Sequence, residues 1–162
     1  MKISAINESV SLIANIGVIG SILFLGLEMQ QNTEMMQSQT RNSIVENQLS
    51  FYERGIGNND FAKVIAEKRL DPSLYPFESP KGFQYALFVA SLLRMWENEF
   101  YQYQIGLFDS DEFEARTNTW KQEMSVKANL GIWRSSENMY APDFRNCLLY
   151  TSDAADEEDS VD

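Results

Sequence analysis

The sequence predicts an all-α protein: a single N-terminal transmembrane helix that runs on into a long helix, followed by a small helical bundle. Three observations carry this. An uncharged apolar run occupies residues 9–27. Neither proline nor glycine interrupts Glu28 to Arg54. No stretch of the chain alternates at period two with β-branched residues, as a half-buried strand would.

The apolar run comes first. Between Glu8 and Glu28 lie 19 uncharged residues, which span about 28 Å as a helix, close to the hydrocarbon thickness of a bilayer. Val10, Leu12, Ile13, Ile16, Val18, Ile19, Ile22, Leu23, Phe24, Leu25 and Leu27 populate every side of the wheel, and a helix apolar all round belongs in a large core or in lipid. Eleven such residues contribute about -3 to -6 kcal/mol to insertion, against the costs of Ser11, Asn15 and Ser21. A cleaved signal peptide fits less well, because Lys2 is the only base ahead of the run and Gly26-Leu27-Glu28-Met29 is no cleavage site of small residues. Gly17, Gly20 and Gly26 are poor choices for the centre of a soluble bundle and more at home in a membrane helix, where Gly17 and Ser21 form a small-xxx-small pair. The segment 1–28 is therefore expected to carry an anchor at about 9–27, leaving a helical domain over 29–146.

Beyond the anchor, one helix continues to about Arg54 and breaks at Gly55-Ile56-Gly57-Asn58-Asn59. Asn59 is the expected cap of a second helix, with Phe61, Val64, Ile65 and Lys68 inward and an end at Asp71-Pro72. Pro72, Pro76 and Pro80 make a loop, and Ser79-Pro80 supplies the N-cap and first-turn proline of a third helix running to Ile105. Its expected apolar face is Phe83, Ala86, Leu87, Ala90, Leu93, Phe100 and Tyr101. Gly106 ends it. Asp109 with Glu112 forms a capping box for a fourth helix striped by Phe113, Thr117, Trp120 and Met124. A fifth helix is expected from about Leu130 to Met139, and Ala141-Pro142 begins a sixth.

Composition narrows the chemistry. With no histidine in 162 residues, the Ser-His-Asp triad, imidazole zinc sites, Glu-x-x-His di-iron sites and histidine-ligated haem are excluded. There is no glycine-rich phosphate loop, and a net charge of -11 argues against nucleic acid as a partner. No catalytic residue, cofactor or metal site is expected. Asp109, Asp111, Glu112 and Glu114 read as first-turn acids complementing a helix dipole, and Phe100, Tyr101 and Tyr103 as bundle-core aromatics. The polar residues that stand out are Arg94, Glu97 and Tyr101, spaced three and four apart so that all can meet on one helix face. They are expected to form a partly buried structural network.

Two resemblances complete the reading. Met29-Gln30-Gln31-Asn32-Thr33, the segment from Glu97 to Asp109, Trp120 and Trp133 together resemble a widespread family of bacterial proteins known only as a domain of unknown function. That resemblance covers nearly the whole chain up to Asn146 and implies one N-terminal membrane helix and a helical domain. Gln30 stands where the family carries a basic residue. The segment from Cys147 to Glu157, and Ser160-Val161-Asp162 after it, resembles a sequencing-library adapter translated in one frame, so 147–162 is expected to be a non-native, disordered tail. That tail holds six of the 24 acids and none of the 13 bases, leaving a remainder with a net charge of about -5 and no cysteine.

The expected protein is a membrane-anchored interaction or scaffold module in a bacterial cytoplasmic (inner) membrane. Its partners would be the lipid bilayer and another membrane protein or a second copy of itself. The alternative is a ligand-binding protein or enzyme using carboxylates in the helical core, for which Glu97, Glu99 and Arg94 are the motive. Lys2 before the anchor and Arg41 as the first base after it lean the domain slightly towards the extracytoplasmic side.

Overall fold

A computed structural model describes residues 2–148, with side chains from Asn7 onward. It is all-α, and no strand occurs among the described residues. The helices are α1 (Lys2–Ile56), α2 (Asn59–Leu70), α3 (Pro80–Gln104), α4 (Ser110–Met124) and α5 (Lys127–Ser136), then a 3₁₀ turn at Glu137–Met139 and α6 over 142–148. Contacts divide the chain into two units between Gln39 and Thr40.

The first unit is the N-terminal part of α1. It is the one helix among the described residues long and apolar enough to cross a membrane, and none of its most apolar window is buried. All eleven large apolar residues from Val10 to Leu27 are exposed. Ser21 Oγ donates back to the Gly17 carbonyl at 2.8 Å, so its hydroxyl is satisfied within the helix. Residues 29–39 are exposed as well, and packing begins later than the expected boundary at Met29, because Gln30 to Gln39 carry no continuous apolar stripe.

In the second unit the last turns of α1 join α2–α6 around an aromatic core. Trp96, Trp120, Trp133, Phe144 and Leu148 are fully enclosed. Trp96 stacks on Trp120 at 5.5 Å between centroids, and Phe144 meets Trp120 and Trp133 edge-on, the preferred geometries for rings with opposed edge and face charge. Ile44 is buried on α1, and Phe51 stacks on Phe88 of α3 at 4.7 Å.

The helix starts follow from local chemistry. Ser79 Oγ accepts from Gly82 N, with Pro80 at the first helical position. Asp109 accepts from Asp111 N and Glu112 N. The reciprocal half of that box is absent, since Glu112 pairs instead with Arg41 at 2.7 Å. The cap of α2 is Asn58 rather than Asn59: its Oδ1 accepts from Phe61 N at 3.0 Å, the distance along the chain that an N-cap reaches. α5 starts earlier and stops earlier than expected, its last turn tightening to 3₁₀ at Glu137–Met139 before Pro142.

Two expectations are corrected. The buried side of α3 is Gly82, Tyr85, Ala86, Val89, Leu92, Leu93, Trp96 and Glu99, whereas Phe83, Leu87 and Tyr101 are about half exposed. Between Phe83 and Met95 apolar residues occur on most sides of α3, so spacing alone does not fix which stripe faces the core. The expectation that everything from Cys147 onward packs against nothing also fails at its start. Leu148 is buried and Cys147 packs partly against the core, because α6 carries Leu148 four residues after Phe144 on the same face. Residues 149–162 lie outside the described residues.

Between α2 and α3 the chain folds tightly. Lys68 Nζ donates to the carbonyls of Pro72 and Leu74, both at 2.6 Å, and Asp71 accepts from Ser73 N and Oγ, bonds that hold the Asp71 carboxyl below its usual range. Tyr75 has φ 53, and its hydroxyl donates to Glu67, which lowers that carboxyl too. A Cβ on Gly82 would stand 2.0 Å from the Pro76 carbonyl oxygen. Only glycine lets this loop lie so close on α3.

Candidate functional site

The expected network of Arg94, Glu97 and Tyr101 forms in part, and at the surface. Arg94 Nη1 donates to Glu97 Oε2 at 2.6 Å, and Nη2 donates to the Met139 carbonyl at 2.9 Å. Ala141 N donates to Glu97 Oε1 at 2.8 Å, and the Arg94 guanidinium lies 4.4 Å from the Tyr140 ring centroid. The pair thereby pins the turn before α6 to α3. Tyr101 is exposed and gives no hydrogen bond to Glu97. The Arg94 side chain is 54% exposed, since this stripe points away from Trp96. Glu97 lines an open concavity with Phe100, Tyr101 and Phe144, yet both of its oxygens are already engaged.

The buried carboxylate is Glu99, 1% exposed. Arg116 of α4 donates from Nε to Oε2 and from Nη2 to Oε1, both at 3.1 Å. Gln48 of α1 adds Nε2 to Oε1 at 2.9 Å. This bidentate fork supplies the pairing a buried charge requires. Sequence reading placed Glu99 among candidate carboxylates but gave no signal for Arg116 or Gln48, whose positions are far from it along the chain.

A second polar seam, buried at Tyr85 and Asn129 and open to solvent at Arg69, ties four helices. Tyr85 Oη donates to Asn129 Oδ1 at 2.6 Å. Asn129 Nδ2 donates to the Glu123 carbonyl at 2.9 Å and to Glu123 Oε2 at 3.1 Å. Arg69 of α2 closes the seam with Nη1 to Glu123 Oε2 at 2.7 Å. Burial pushes the Tyr85 phenol up to about 12.

The two polar clusters flank a cavity of about 430 Å³, within the range of small-molecule sites. Phe51, Ile65, Phe88, Leu92, Met95 and Trp96 form its apolar walls. Arg69, Glu123, Arg116 and Thr119 supply its polar groups, and Tyr52, Gly55 and Ile56 complete the lining. Among the described residues, no cluster of three or more acids or cysteines is gathered so as to hold a metal ion.

The chain matches no family model, no curated protein and no solved structure.

Proposed function

We propose that the chain is a single-pass membrane-anchored helical domain whose work is binding, as an interaction or scaffold module. The observation that carries this is the N-terminal part of α1, where an uncharged apolar surface 19 residues long stands fully exposed. A monomeric soluble protein rarely exposes so large a contiguous apolar surface, and a lipid bilayer is the partner that matches it in length and polarity. The anchor sits about at residues 9–27, in a bacterial cytoplasmic membrane, and Lys2 leans the domain towards the extracytoplasmic side. A second copy or another membrane protein is the natural partner for what the anchor holds at the surface.

Carbonate extraction tests this reading. The chain is expected to stay with the membrane pellet, and its release into the soluble fraction would overturn the anchor. Protease protection in spheroplasts then decides the side.

The cavity beside Arg69 and Arg116 favours a second reading, in which the domain binds a small ligand.

A further inference from the structure

We propose that the cavity bounded by α1, α2, α3 and α4 is a binding site for a small aromatic carboxylate. This stands independently of the anchor, because every residue that lines it lies in the second unit.

The walls favour a flat apolar body. Phe51 and Phe88 lie nearly parallel, with an interplanar angle of 24°, and Trp96 and Met95 close the same space. Sulfur and ring faces of this kind contact aromatic ligands well. Gly55 stands in the cavity's lining, and a Cβ added there would meet nothing within 4 Å.

The polar groups favour an acceptor on the ligand. Arg69 commits only Nη1, to Glu123, and Arg116 commits Nε and Nη2, to Glu99. Each guanidinium has five N–H donors, so both keep donors in reserve at the cavity. The buried Trp96 indole N–H has no partner among the described residues, and the lining also carries the Thr119 and Tyr52 hydroxyls. Against these donors the lining offers one carboxylate, Glu123, whose Oε2 already accepts from Arg69 and Asn129. Donors therefore exceed acceptors. A planar carboxylate is the group that a guanidinium with spare parallel N–H donors recognises best.

The test is calorimetric titration of the full chain in lipid nanodiscs with 2-naphthoate and with 2-naphthamide, using empty nanodiscs as the blank. The expected result is saturable binding of 2-naphthoate at one site and at least about tenfold weaker binding of the amide. Gly55→Phe, whose Cβ meets no neighbour and which adds a ring at the cavity's lining, should abolish both without lowering the melting temperature. Arg69→Gln should weaken 2-naphthoate to the level of the amide. Absence of saturable binding, or unchanged binding in Gly55→Phe, would overturn the site. Equal affinity for the two probes in the parent protein would overturn the carboxylate assignment.

Discussion

Arg116 and Glu99, 17 residues apart in sequence, meet so that two guanidinium nitrogens each donate to a separate carboxylate oxygen at 3.1 Å. The pair joins α3 to α4 inside the core, and Gln48 brings α1 to the same carboxylate. Arg94 and Glu97, only three residues apart on α3, look like the same device in sequence. They hold a surface turn instead.

The two arginines should therefore differ sharply when truncated. Arg116→Leu leaves the enclosed Glu99 without its charge partner and is expected to cost about 3–5 kcal/mol. Arg94→Leu removes a half-exposed pair and one bond to the Met139 carbonyl, and is expected to cost about 1 kcal/mol. Urea denaturation of both variants beside the parent measures the two. Equal losses would mean that the burial of Glu99 does not govern its energetics.

How much of this was legible in the sequence depends on the range of each interaction. Ser79-Pro80 and Asp109 announce helix starts because a cap acts within three residues, and the bends at Gly57 and Gly106 are local in the same way. The inward stripe of α3 was not legible. Phe83, Leu87 and Ala90 recur at helical spacing as well as Tyr85, Val89 and Leu92 do, and only the position of Trp120 and Trp133 opposite decides between them. Arg116 and Gln48 were not legible either, since nothing local marks a partner on another helix. The cavity depends on four helices together, so it has no signature in any one of them.

Alkaline pH should reveal the burial of the Tyr85 phenol. The Tyr85 phenol lies near 12 in the folded chain and near 10 when unfolded, so folding favours its protonated form. This contribution is complete below about pH 10 and is lost as pH rises through 12. Two pH units correspond to about 2–3 kcal/mol. Tyr85→Phe strands Asn129 Oδ1 and should cost about 1–3 kcal/mol at neutral pH. The stability gap between parent and variant should narrow from pH 10 to 12, measured by denaturant melts. A gap that stays constant across this range would contradict the assignment.

Two glycines should respond in opposite directions to alanine. At Gly82 the new methyl meets backbone oxygens of Tyr75 and Pro76, which have no side-chain freedom to retreat, so a loss of about 3 kcal/mol or more is expected. At Gly55, helical and with open space around it, alanine should stabilise by about 0.5–1 kcal/mol through helix propensity. Thermal melts of the two single variants check both signs.

Position 148 tests the reading of the C-terminal segment. We expect the gene recovered from source DNA without an adapter-ligated library to replace Cys147 onward with a different continuation. We also expect an apolar residue at 148, because that position is enclosed beside the core. Recovery of the same sixteen residues would reject the adapter resemblance, and a charged residue at 148 would contradict the packing of α6.

The proposed anchor, residues 9–27 of α1, is open to a direct depth measurement. Spin labels on single cysteines at Leu12, Val18 and Phe24, in a Cys147→Ser background reconstituted into vesicles, report depth through the ratio of oxygen to aqueous nickel-chelate accessibility. A spanning helix predicts the deepest label at Val18 and shallower, similar depths at Leu12 and Phe24. Uniform exposure to the nickel chelate, or one shallow depth for all three labels, would contradict it.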